Sequence, residues 1–318
     1  MIKNVKPMRD VFLAGLIEKM ENDPKIFFLA ADFGAPTLDI LRDKFPDRFI
    51  NVGIAEQNLI NVAAGLALEG FKVFAYAIAP FITMRCYEQV KVNLALMSQV
   101  KEMNVTLIGV GAGFSYVVSG PTHHSVEDIS IMRTLPNVEI LSPADWVSAG
   151  SMVDFTVETP GIKYLRFDSQ PTPAIYSETA CFEEKGFNIL SNGSKACIVS
   201  TGYMTQEALA AAEQLKNEGL NISVIDIFKL KNPDFKALAD VLSKYNYVVS
   251  MEEGFIYKGG LDSLLLNIAN DYKLKYDFKA VGLDDNYKFE LGNRRQLLAN
   301  YKAERTNVAA DIKEYFSK

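Results

Sequence analysis

Cysteine, histidine and tryptophan are scarce in this chain, at three, two and one among 318 residues. Cys86, Cys181 and Cys197 lie far apart and form no CxxC pair. An odd count without such a pair fits reduced, packed thiols in a cytoplasmic protein. Basic runs are absent and the formal net charge is -6, which argues against a nucleic-acid partner. Long apolar runs are absent too. The longest, Val73–Met84, is too short to span a bilayer and contains Pro80, so no membrane role is expected. Lys3, Lys6 and Arg9 are soon followed by Glu18 and Glu21, which does not read as a signal peptide. Nowhere is a glycine followed by an aspartate.

What the chain does contain is alternation. Ile26–Ala30, Lys72–Ala77, Val105–Val110, Val138–Leu141 and Ile162–Leu165 read as buried strands. Helical patterns over Met8–Met20, Glu56–Leu68 and Phe81–Met97 separate some of them. Such alternation predicts an α/β fold, a mainly parallel sheet flanked by helices. Asp168–Gly186, with Pro171, Pro173 and Glu183-Glu184, reads as a linker. Beyond it, strands over Ala196–Ser200, Ile222–Asp226 and Tyr247–Met251 alternate with helices over Thr205–Asn217, Pro233–Tyr245 and Leu261–Tyr272. Two α/β domains are therefore expected, at 1–175 and 186–318, as the length also suggests.

Three segments carry candidate chemistry. In Phe49-Ile50-Asn51-Val52-Gly53-Ile54-Ala55-Glu56-Gln57, a strand ends near Gly53 and a helix opens at Glu56. Open α/β sheets bind ligands at such a position, although a lone acid there also serves the helix dipole. The helix behind it holds Ala63, Ala64, Gly65 and Ala67. A mid-helix glycine costs about 1 kcal/mol relative to alanine, so close approach of another backbone is expected, as at a subunit interface. Phe81-Ile82-Thr83-Met84-Arg85-Cys86-Tyr87-Glu88-Gln89 follows a strand and offers flat apolar faces, though periodicity alone makes Phe81, Met84 and Tyr87 core residues. Ser119-Gly120-Pro121-Thr122-His123-His124 holds both histidines in one Gly-Pro turn. Histidine suits proton exchange near neutral pH. The preceding Gly109-Val110-Gly111-Ala112-Gly113 lacks the full GxGxxG pattern and reads as a turn that lets backbone approach a ligand.

Together these segments resemble the C-terminal half of transketolases, a pyrimidine-binding domain followed by a smaller C-terminal domain. The resemblance extends from Met8-Arg9 and Ala31-Asp32 through Ser200-Thr201-Gly202, Glu252-Glu253-Gly254 and Gly259-Gly260-Leu261 to Val281-Gly282-Leu283-Asp284-Asp285. It implies that Glu56 activates thiamine diphosphate. A buried carboxyl group hydrogen-bonded to the aminopyrimidine shares a proton with it, and burial favours the protonated acid. It further implies cofactor contacts from Asp32, Ile54, Phe81, Arg85 and Tyr87. His123 would face the reacting carbon and the substrate hydroxyls, with His124 and Arg166 on the substrate side.

The absent Gly-Asp-Gly has a consequence under this resemblance. That motif, with a downstream asparagine, anchors the diphosphate through a divalent metal, here Mg²⁺. The site must then lie mainly on a partner, an N-terminal-half transketolase subunit, in an α2β2 assembly. Departures fall on the substrate side. Ser169 stands where the family has arginine, Ser119 replaces an aspartate, and Pro36-Thr37 replaces a serine. Phosphate binding favours fixed cationic donors, so a modified sugar, bearing a nucleotide or acid group, is the expected substrate of ketol transfer. The alternatives are the β subunit of a 2-oxo-acid dehydrogenase, which lacks the Gly-Pro-Thr-His turn; a deoxyxylulose-phosphate-synthase-like enzyme, normally one long chain; and a non-catalytic scaffold.

Overall fold

The structure is a computed structural model that describes residues 4–178, 180, 182, 185–290 and 292–317. Cys181 and the Glu183-Glu184 pair of the expected linker lie outside the described residues. The chain packs as two units, Met1–Ala112 with Ile131–Ala180, and Gly113–Ser130 with Cys181–Lys318. Packing therefore groups the histidine turn with the second unit, whereas a division at 175 and 186 along the sequence would leave it in the first.

In the first unit, β1 (Val5–Lys6) pairs antiparallel with the later β8 (Thr172–Pro173). The main sheet uses β2 (Ile26–Ala30), β3 (Phe49–Asn51), β4 (Lys72–Ile78), β5 (Asn104–Val110), β6 (Val138–Leu141) and β7 (Gly161–Phe167). Its order is β3-β2-β4-β5-β7-β6, and every pairing is parallel. β4, β5 and β7 are covered on both faces, which explains the apolar runs of β4 and β5; β7 is also buried but carries Lys163 and Arg166. From β2 the chain moves to one side for β3 and returns to the other for β4. The order thus reverses between β2 and β4, the kind of switch point where open sheets leave a crevice at their carboxyl ends.

The expected helix over Glu56–Leu68 forms with those bounds. The one expected over Phe81–Met97 is helical but irregular, with wide π turns at Phe81–Arg85 and Val90–Leu96 around a short α turn at Tyr87–Gln89. The Thr83 hydroxyl donates to the Ala79 carbonyl at 2.7 Å and the Cys86 thiol to the Ile82 carbonyl at 2.8 Å. Side chains thus occupy acceptors that regular i→i+4 amides would use, and the turn widens. The helix Trp146–Glu158 is capped by Asp145, whose other oxygen accepts from the Ile175 and Tyr176 amides at 2.6 and 2.9 Å. The first part of the expected linker is therefore fastened to this unit.

At the opposite end of β7, Lys163 is buried. Its ammonium donates to Asn104 Oδ1 at 2.8 Å and to the Thr159 carbonyl. Burial pushes this amine down to about 7, with Glu139 raising it and Lys72 lowering it further. In the unfolded chain the amine keeps its ordinary value of 10.5. Between those pH values the unfolded state binds the extra proton, so stability falls as pH drops through this window and levels off below it. The neighbouring acceptors favour the charged amine and moderate the slope. Between pH 9.5 and 7 the melting temperature of the wild type should fall relative to Lys163→Met by at least about 2 °C. Parallel melting curves for the two proteins would refute this.

The second unit carries a five-stranded sheet of β9 (Phe187–Ser191), β10 (Lys195–Ser200), β11 (Ser223–Ile227), β12 (Tyr245–Phe255) and β13 (Asp277–Leu283). Its order is β13-β12-β10-β11-β9, parallel except for β9 at the edge. Its core joins Ile198, Val224, Val249 and Met251 to residues of the helices Met204–Asn217 and Arg305–Ser317. Phe114 and Val126, which flank the histidine turn, belong to the same core. Among the described residues, no helix is long and apolar enough to cross a membrane.

Candidate active site

The carboxyl edge of the six-stranded sheet collects most of the expected residues of the first unit. After β2, Asp32 adopts a left-handed conformation, φ 49°. Asn51, the last residue of β3, fixes it there. Asn51 Oδ1 accepts from the amides of Asp32 and Gly53 at 3.1 and 2.9 Å, and its Nδ2 donates to Asp32 Oδ1 at 3.0 Å. One asparagine thus ties together the loops that follow β2 and β3, and Glu56 starts its helix immediately beyond.

Glu56 is buried, at 4% exposure, in the first turn of that helix. Arg85 donates through Nη1 to both carboxylate oxygens at 2.8 Å. The Arg85 guanidinium lies 4.1 Å from the centre of the Phe81 ring, within cation–π range. Its backbone carbonyl accepts from Gln57 Nε2 at 3.2 Å. An arginine, an aromatic ring and a buried acid thus form one cluster, built from the helical turns that follow β3 and β4. The arginine side chain is 44% exposed, so water or a ligand can compete for it. Burial, with Glu56 adding to the effect, pushes the nearby Cys86 thiol up to about 12, and that thiol stays protonated.

Other expected residues are placed differently. Ile54 is 77% exposed. The Tyr87 hydroxyl meets Thr134 Oγ1 at 2.5 Å and donates to the Ile131 carbonyl at 3.3 Å, which commits it to the last helical turn before β6. Arg166 is buried within β7, in register with Gly109 of β5. Gly65 is exposed, and a Cβ there would meet nothing within 4 Å. Among the described residues, none makes the expected close backbone approach.

His123 and His124 are described within the second unit. His123 closes the turn, its amide donating to the Gly120 carbonyl at 3.0 Å, and its Nδ1 lies 3.0 Å from Thr122 Oγ1. It is half-buried. His124 is 6% exposed, with its ring edge-on to Phe114 at 4.9 Å. Burial lowers the pKa of the His124 imidazole against the raising effect of a hydrogen bond with the Val117 backbone, and His123 and Arg294 lower it further. This ring is therefore neutral at pH 7. Sequence reasoning missed the Glu56–Arg85 pair, because the two residues are 29 positions apart. It also missed the Glu253–Arg294 pair, in which Nε donates to Oε1 at 2.7 Å. Among the described residues, no group of three or more His, Cys, Asp or Glu could hold a metal ion.

Comparison with known proteins agrees with this architecture. Residues 5–173 match the family model of the transketolase pyrimidine binding domain, and residues 186–308 that of the transketolase C-terminal domain. The chain belongs to the transketolase family. It is 30% identical to an apulose-4-phosphate transketolase subunit of Actinobacillus succinogenes, over 93% of this chain and 94% of that one. It is 32% identical to a 6-deoxy-6-sulfo-D-fructose transketolase subunit of Clostridium sp., over 80% and 78%. A solved structure described as a split gene transketolase, inactive beta4 tetramer, superposes with a TM-score of 0.85 at 30% identity, covering 98% of both chains.

Proposed function

We propose that this chain is the subunit of a split, thiamine-diphosphate-dependent transketolase that carries the cofactor-activating acid Glu56, and that it transfers a two-carbon ketol unit between sugars. The observation that carries this is the buried Glu56 carboxylate at the switch-point edge of the sheet, next to the Phe81 ring. These residues fit the aminopyrimidine end of the cofactor. A flat half-buried ring offers a stacking face, and the carboxylate can exchange the exposed Arg85 head for a ring nitrogen. When bound, thiamine diphosphate supplies the nucleophilic carbon on which the two-carbon unit is carried. At its carboxyl oxygen Glu56 would exchange a proton with the ring, Phe81 would orient the ring, Asp32, Ile54 and Arg85 would shape its surroundings, and Tyr87, bonded to Thr134 and Ile131, would brace the segment that carries Phe81 and Arg85. His123 exchanges protons with the substrate carbonyl and hydroxyls. His124 anchors the turn that presents it, and Arg166 supports the substrate side from within β7.

Mg²⁺ and the diphosphate would be held mainly by a partner subunit with Gly-Asp-Gly and a downstream asparagine, in an α2β2 assembly. The exposed Gly65 and Ile54 support a surface completed by another chain. The buried, free thiols of Cys86 and Cys197 are compatible with a cytoplasmic setting. Relatives acting on apulose 4-phosphate and a sulfonated fructose support a modified, acidic sugar as substrate. The test is reconstitution. The chain alone should show no ketol transfer. Mixed with such a partner, thiamine diphosphate and Mg²⁺, it should transfer a ketol unit from an acid-bearing ketose. Turnover by the chain alone, or tight binding of xylulose 5-phosphate by the pair, would overturn the respective half of the reading.

A further inference from the structure

We propose that Glu253, clamped by Arg294, is a positioning residue that sets the His123 turn by pressing on the backbone of Gly113. The turn is a loop closed at its base, where Gly113 and Ser125 exchange two backbone hydrogen bonds of 3.0 Å. Gly113 has φ +57°, and a Cβ there would stand 1.9 Å from Glu253 Oε2. The carboxylate therefore lies directly against this glycine, and only glycine fits. Arg294 grips the carboxylate with two donors, Nε to Oε1 at 2.7 Å and Nη2 to Oε2 at 2.5 Å. Its guanidinium is itself held 3.6 Å over the Tyr203 ring. Both charges are buried. A buried pair of this kind adds little net stability, because desolvation offsets its attraction. What it supplies is a fixed geometry, and the geometry it fixes is the root of the loop. Further along, His124 turns inward against Phe114, which stacks on Tyr301 at 5.8 Å. With His124 buried as an anchor, His123 is the less buried member of the pair. The C-terminal domain, by this inference, does more than pack, since it sets the aim of the residue that handles substrate protons.

The catalytic half of this inference rests on the role proposed for His123, and the experiment separates the two. The chain has only two histidines, so its imidazole NMR spectrum holds two signal sets, which His123→Gln assigns. Glu253→Gln in the full chain should shift and broaden the His123 signal. In the reconstituted enzyme it should lower kcat by about 10- to 10²-fold, the scale of an ångström-sized misplacement, with a smaller change in KM. Lys279→Met, which breaks an ion pair with Asp311 in the same unit, should do neither. Should Glu253→Gln fail to fold, Arg294→Lys keeps the charge but loses the two-donor grip, and should move the same signal. A lowered melting temperature with an unmoved His123 signal would overturn the proposal. Absence of ketol transfer in the wild-type pair would instead overturn the role of His123 and leave the NMR result to decide the positioning.

Discussion

Replacing Glu56 with Gln should cut kcat of the reconstituted enzyme by about 10²- to 10⁴-fold, the range supplied by a positioned acid or base, and leave the fold intact. The amide has the size and shape of the acid but cannot accept or return a proton at that oxygen. Little stability should be lost. Arg85 is half-exposed and returns to water when its partner is neutralised, so the pair contributes at most about 1 kcal/mol. Glu56 also stands in the first turn of its helix, where a negative charge contributes roughly 0.3–1 kcal/mol. A melting temperature within a few degrees of wild type, together with collapsed turnover, is the expected result. Full turnover in this variant would remove Glu56 from the chemistry. Arg85→Met offers a second reading of the cluster. It frees the carboxylate, so cofactor affinity should hold or rise if the arginine only stands in for the ring, and fall if it also grips the cofactor.

How much of the fold and site is legible in the sequence depends on the range of the interaction concerned. β4, β5 and β7 are legible because both their faces are covered, so apolar residues dominate them, even with Lys163 and Arg166 buried in β7. The helix Glu56–Leu68 is legible from its small-residue stripe and acidic start. Edge strands such as β9 and β13, only partly covered, mix polar and apolar residues and carry no such signal. The helices Pro36–Lys44 and Trp146–Glu158 are equally hard to read. The first is short and mostly exposed, and the second is so apolar that it lacks a polar face to mark its period. The candidate residues themselves are legible as motifs, but their partners are not. Arg85 is expected at the cofactor, yet nothing local says that it faces Glu56. The grouping of Gly113–Ser130 with the second unit rests on residues far along the chain, among them the core partners of Phe114 and Val126, and Glu253 in β12 against Gly113. No window of sequence contains that contact. Its only local trace is a glycine that cannot be replaced.

Adjacent substitutions at His123 and His124 should give opposite signatures, and the contrast tests the site more sharply than either variant alone. His123→Ala should lower kcat/KM of the reconstituted enzyme by about 10²-fold or more. The melting temperature should move less than in the neighbouring variant, because the side chain is half-buried; it meets Thr122 of its own turn and, at 6.5 Å, the Tyr116 ring. His124→Ala should act through stability. Removing a ring packed edge-on against Phe114 leaves a cavity and a lost backbone hydrogen bond, at a cost of about 2–4 kcal/mol. Any activity it loses should follow the folded fraction and the loosened aim of His123, and both should return when the anchor is refilled. His124→Phe should recover most of that stability. The Nε2 of His124 is buried without a hydrogen-bond partner among the described residues, so an apolar ring gives up only the bond to the Val117 backbone. If His124→Phe instead matched His123→Ala in lost turnover at full stability, the buried histidine would be acting on substrate, and the division of labour within this turn would have to be reversed.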